Sequence, residues 1–306
     1  MGVIRRLFGA SARVLGPYLH PLAWASLVAN IGIVVSGGAV RLTGSGLGCP
    51  TWPRCTEESF TPHGALDLHA AIEFGNRMVT FLIGAVAVAT FLSAWHTGRR
   101  ELRQVALLLA LGVAAQAIIG GITVRTGLNS WVVALHLVVS MAMIGVAVVF
   151  LWLVHRTGPL PAATASRPLQ GLAWSTFAAG WAVLYIGTVV TGSGPHAGDD
   201  ETPRNGLDPL QVSQLHADAV FLFVGLTVGL LFALHATSAS AEAVRAARVL
   251  LAVEIGQGAI GFVQYFTDLP IVLVGFHMLG AALVAAAMTW VVLAVREQPV
   301  PAMMEK

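Results

Sequence analysis

Four of the ten histidines, His69, His136, His216 and His277, lie in or at the mouths of long apolar runs. Around the first of them, "LHAAIEFGNRMVTFL" sets His69, Glu73 and Asn76 at i, i+4 and i+7, one stripe of a helix, with Arg77 one turn from Glu73. Polar groups in an apolar environment are costly without partners. One such imidazole is adequately explained as a hydrogen-bonded core residue or a proton relay. Four at recurring places on alternate spans point instead to pairs of imidazoles from facing helices, the arrangement that fills both axial positions of a haem iron. Proton relay is the main alternative. For Glu73 the two readings are an ion pair with Arg77 at i+4 and a carboxylate that moves protons or stabilises a cation during oxidation, and the two are compatible.

The elements that must position these groups are membrane spans. Of 306 residues 56% are hydrophobic and 10% charged, with a mean hydropathy of +0.78, well below the charged fraction of about a quarter in soluble domains. A net charge of +2, no interleaving of basic and aromatic residues and no zinc spacing argue against nucleic acid as a partner. Eight segments are long and apolar enough to span a bilayer: 21–40, 68–95, 103–124, 131–154, 171–191, 212–235, 244–265 and 271–295. The expected fold class is therefore an all-α integral membrane protein. The basic N-terminal stretch reads as a cytoplasmic leader into the first span. Twelve Lys and Arg residues then fall in inner segments, against Arg41, Arg54, Arg125 and Arg204 outside. This predicts both termini in the cytoplasm of a cell-membrane protein. Cys49 and Cys55 share the first outer loop, where a disulfide is the simplest reading and a reactive or metal-binding thiol pair the alternative.

The chain repeats itself. "VRLTGSGLG" (40–48) is echoed by "VVTGSGPHAG" (189–198), and "LHAAIE" by "LHADAV". Gln116 precedes His136 by the same twenty residues that separate Gln257 from His277. Residues 155–171, rich in Pro, Ala, Ser and Thr, read as a linker. The expectation is two pseudo-symmetric four-helix bundles, residues 1–160 and 161–306, related by an axis along the membrane normal. "TGSGLG" reads as a tight turn, "HAGDDETPRNGLDP" as a solvated loop without metal, and Glu254 and Gln257 as hydrogen-bonded within the bundle.

"VRLTGSGLGCPTWPRC", "IEFGNR", the Gln116-to-His136 block, "QLHAD" and "LVGFH" together resemble the haem A synthase family over most of the chain. That resemblance implies oxidation of the C8 methyl of haem O to a formyl group by successive hydroxylations, for cytochrome oxidase assembly. It implies haem O bound in the first bundle with His136 as a ligand, Glu73 as the essential carboxylate, and Cys49–Cys55 as the loop cysteine pair. It further implies a haem b cofactor between His216 and His277. Haem O synthase and oxidase assembly factors are the partners it implies; the bilayer and a second copy of the chain are further candidate partners. The family motif resembles Glu-aromatic-x-His-Arg, whereas "EFGNR" carries Asn76 in place of the histidine. Apolar sequence continues about equally far beyond Asn76 and beyond His216, which matches these two. The shared "LHA" instead matches His69, roughly 10 Å higher along the helix, to His216. Both alignments stand at this level. The 192–211 loop also lacks a cysteine pair found in some members. Two rival functions use the same histidines: a bis-haem electron-transfer protein of cytochrome b type, and a transporter with proton-relay histidines.

Overall fold

The computed structural model describes residues 15–62, 67–156, 164–199 and 201–297. The N-terminal leader up to residue 14, the centre of the linker (157–163, which holds the expected bundle boundary) and His63 lie outside the described residues. Among the described residues a 3-10 turn is followed by eight α-helices: α1 (Leu19–Leu42), α2 (Leu68–His96), α3 (Arg100–Arg125), α4 (Ser130–Val154), α5 (Arg167–Ser193), α6 (Pro209–Ala236), α7 (Ala241–Phe266) and α8 (Ile271–Arg296). All eight are long and apolar enough to cross a membrane, and the protein is a multi-pass membrane protein with no strand among the described residues.

Local chemistry sets where the helices start and stop. The side chains of Asp67, Asn129, Asp208 and Ser240 cap α2, α4, α6 and α7 by accepting backbone N–H bonds from the first turn. Pro209 opens α6, where its missing donor costs nothing. The "TGSG" turn ends α1: Gly44 adopts φ +66 and Ser45 N–H bonds back to the Val40 carbonyl. Each span is one to six residues longer than its apolar run, because capping and amphipathic residues continue the helix past the hydrocarbon-compatible stretch.

Helices α1, α2, α3 and α4 pack in a closed ring, and α5, α6, α7 and α8 in a second. The rings meet through α1 against α8, α4 against α5, and α4 against α8. This is the pattern of a two-fold axis that exchanges α1 with α5 and α4 with α8. The fully buried Ile144, Ala147 and Phe150 of α4 and Ala285, Met288 and Val291 of α8 belong to one continuous buried cluster that spans both rings. Small residues let backbones approach closely in such contacts: a Cβ on Gly180 of α5 would meet Met288 Sδ at 2.7 Å and the Phe223 ring of α6 at 2.9 Å. Within the second ring Glu254 accepts a hydrogen bond from Thr227 Oγ1 at 2.7 Å, while the Gln257 side chain packs onto Gly280. The starts of α2, α4, α6 and α8 all lie at one end of the molecule, so His69, His136, His216 and His277 gather towards that end.

Candidate functional site

A cavity of about 510 Å³ occupies the first ring and draws walls from all four of its helices, within the range of small-molecule and cofactor sites. His136 of α4 and Glu73, Asn76 and Arg77 of α2 line it together. His69 does not line it. It is exposed one residue into α2, with Nδ1 3.0 Å from Ser45 Oγ. Helix register separates the two alignments of the repeat. Asn76 stands twenty residues before the last residue of α2, and His216 stands twenty before the last residue of α6. His136 and His277 are each the seventh residue of their helices. Asn76, and not His69, therefore occupies the place of His216.

Three of the histidines share one local device. The Nδ1 atoms of His136, His216 and His277 are buried without a hydrogen-bond partner. Beside each ring runs a glycine of the neighbouring helix: a Cβ on Gly120, Gly187 or Gly261 would meet the Cε1 of His136, His216 or His277 at 3.3, 3.1 and 3.7 Å. His216 of α6 and His277 of α8 both belong to the second ring. The twenty-residue spacing from Gln to His has a physical basis in the first ring. Gln116 Nε2 donates to the His136 carbonyl at 3.1 Å and also to Ser140 Oγ, pinning α3 to α4 beside the imidazole.

The end of the cavity nearest the loops is closed by a lid. Cys49 and Cys55 form a disulfide, and the loop that carries them folds back over α2. Cys49 N–H donates to Glu73 Oε2 at 2.6 Å. Arg77 pairs with Glu73 Oε1 at 2.6 Å and donates to the carbonyls of Cys49, Thr51 and Arg54. The i+4 ion pair expected from sequence is thus present, and it also holds the lid. Trp52 lines the cavity, rests on Gly121 of α3 and lies beneath the Arg125 guanidinium, which donates to the Trp52 carbonyl at 2.9 Å. The loop after α5 completes the closure: Gly46 N–H bonds to the Gly198 carbonyl at 2.8 Å, and Ala197 and Gly198 line the cavity.

Arg41 is the principal residue that the sequence reading placed elsewhere. Counted there among loop cations, it is the penultimate residue of α1 and lines the cavity. It donates to the carbonyls of His196 at 2.6 Å and Thr191 at 2.8 Å, and it has no carboxylate partner among the described residues. A cation held by neutral groups next to a cavity is a site for an anionic arm of a ligand. Its signal in the sequence was the single Arg at the end of an apolar run. Ser36, also missed, donates to Asn76 Oδ1 at 2.7 Å. Nothing in its sequence context distinguished it from other small residues of α1.

A family model described as cytochrome oxidase assembly protein matches residues 21–198. The protein named heme A synthase in Halalkalibacterium halodurans is 30% identical over 169 residues, 53% of this chain and 56% of that protein. Its namesake in Staphylococcus haemolyticus is 31% identical over 183 residues, 55% of this chain and 58% of the relative. The one in Geobacillus thermodenitrificans is 26% identical over 173 residues, 56% and 54% of the two chains. Each match thus spans little more than half the length of the curated relative. The stretch covered by the family model takes in α1 to α5, with the disulfide lid, the His136 cavity and the first part of the loop that seals it. With well over half of its residues matched in this way, the chain belongs to the cytochrome oxidase assembly protein family.

Proposed function

We propose that the chain is a haem A synthase, an oxidoreductase that takes haem O into the first-ring cavity and oxidises its C8 methyl to a formyl group by successive hydroxylations. The observation that carries this reading is the gathering, in one apolar cavity, of a single imidazole, a buried carboxylate and a cation without a carboxylate partner. That set suits a porphyrin with carboxylate arms: His136 faces the iron, Arg41 meets a propionate, and apolar walls from α1 to α4 cover the ring. The names of the curated relatives point the same way.

In the second ring His216 and His277 are the residues that would hold a resident haem b, which supplies one-electron transfer when bound. The buried, unpartnered Nδ1 atoms and the close glycines of both histidines fit such a group. The chain's own part in the chemistry centres on Glu73, which lies one turn from Asn76 and is 5% exposed. Arg77 and the Cys49 amide keep its carboxylate at the lid, where it takes up or passes on a proton while Trp52 and Pro53 keep bulk water away. The distribution of Lys and Arg supports cytoplasmic termini and an outward-facing disulfide loop. Haem O synthase as donor and oxidase assembly factors as recipients suit a substrate this insoluble. A cytochrome b-type protein would use the same histidines, but one cavity histidine opposite an asparagine is poor support for two equivalent resident haems.

The test is a host that makes haem O but no haem A. Membranes containing the full chain should yield haem A on extraction and chromatography. Haem O alone, with the folded protein present, would overturn the proposal.

A further inference from the structure

The internal repeat has one chemical asymmetry at matched depth. His216 on α6 is answered on α2 by Asn76, while His277 and His136 agree. The remaining donors around the first-ring cavity do not make up the difference. His69 stands two turns nearer the loops and outside the lining. Both oxygens of Glu73 are engaged, one by Cys49 N–H and the other by Arg77. Met143 is seven residues beyond His136 on the same helix, roughly 10 Å along α4. Met278 Sδ is packed against Gly38 of α1, where a Cβ would meet it at 2.8 Å.

Asn76 itself is oriented. Its Oδ1 accepts the Ser36 hydroxyl at 2.7 Å, and its amide nitrogen has no partner among the described residues on the edge of the cavity. A carboxamide is a poor iron ligand but a good hydrogen-bond donor, and distal donors decide whether an exogenous ligand is held on a haem. We propose that a porphyrin bound through His136 keeps its second axial position open, and that this position is a binding site for a diatomic ligand of the dioxygen class, with Asn76 as its hydrogen-bond donor. The inference rests on the haem reading of the cavity. It gives a physical role to the residue that breaks the symmetry: an imidazole there would close the site, whereas an amide stabilises the partial negative charge on a bound oxygen.

The experiment uses the full chain, purified in detergent and loaded with protohaem, then reduced and exposed to carbon monoxide. Wild type is expected to show one haem that binds carbon monoxide and one that stays six-coordinate and low-spin. Asn76→His should abolish the carbon monoxide adduct and turn that haem low-spin. Asn76→Leu should retain the adduct with a C–O stretch moved to higher frequency, and should release oxygen about tenfold faster, the factor carried by one ordinary hydrogen bond. Size-exclusion profiles establish that both variants remain folded. If wild type binds haem in the cavity yet is silent to carbon monoxide, the open position is refuted. A gain of carbon monoxide binding in Met278→Leu would then identify the thioether as the occupant. His136→Ala separates the two layers: unchanged haem stoichiometry in that variant refutes the haem reading of the cavity itself, whatever the carbon monoxide result.

Discussion

At the scale of single residues, the first-ring cavity places charge where the surrounding bundle has almost none. Glu73 is tied to its own helix by Arg77 and to the lid by the Cys49 amide. Truncating one member of a buried pair leaves the other uncompensated, which costs about 3–5 kcal/mol. Glu73→Ala should therefore lower thermal stability in detergent markedly and abolish haem A formation. Glu73→Gln retains an acceptor for the Cys49 amide but turns an amide NH2 towards Arg77, so it should be destabilised less than Glu73→Ala and still fail to convert haem O. Normal conversion by the Gln variant would remove Glu73 from the chemistry and leave it as a support for the lid. Arg41 provides a complementary case. Its two carbonyl partners do not neutralise it, and a charge-assisted bond to a carboxylate is worth about 1.5–3 kcal/mol. Arg41→Leu should weaken retention of a porphyrin dicarboxylate by about tenfold or more, measured by haem transfer to apomyoglobin, and should leave retention of a porphyrin diester unchanged.

At the scale of elements, the lid depends on a close approach between a loop and a helix. The Trp52 ring lies where a side chain on Gly121 would stand, and Arg125 holds the ring from above. Gly121→Val should displace Trp52 and open the cavity to water. The expected result is faster proteolysis within residues 43–62 with the eight helices intact by circular dichroism. Gly32→Ala is the control, because a Cβ there meets nothing within 4 Å. The disulfide contributes separately. Its six-residue separation closes a short loop, worth about 2 kcal/mol in the chain-entropy account. Replacing both cysteines by serine should loosen the lid without unfolding the rings, and equal proteolysis rates in the two proteins would count against this.

At the scale of the molecule, the two rings share a seam, and α8 faces both of them. His277 belongs to the second ring, while its neighbour Met278 lines the first-ring cavity and packs against Gly38 of α1. Rigid contacts of this kind couple sites because packed interfaces do not deform continuously. Gly38→Val should drive Met278 from its place and shift α8, so haem content should fall in both rings of the purified protein. Loss confined to one ring would show that the seam insulates the sites. The loop after α5 reinforces the same dependence, since it belongs to the second half yet seals the cavity of the first through Gly198 and Arg41.

The sequence by itself determined the helical class, the eight spans, the duplication and three of the histidines that the tertiary structure sets in matched positions. These features are periodic or compositional: apolar length reports a span, and the common Gln-to-His spacing reports the repeat, in whose first copy Gln116 pins α3 to α4. It could not choose between His69 and Asn76, because "LHA" is a match of letters whereas depth depends on where α2 begins. The Asp67 cap starts α2 at Leu68, and Pro209 starts α6 seven residues before His216, so the same three letters fall at different heights. Nor could it assign Arg41, whose partners lie 150 and 155 residues away in the other half of the chain. Only tertiary structure brings the second half's loop onto the first half's helix. The cavity, its lid and the Ser36–Asn76 hydrogen bond arise from contacts between segments remote in sequence, and local patterning carries no record of such contacts.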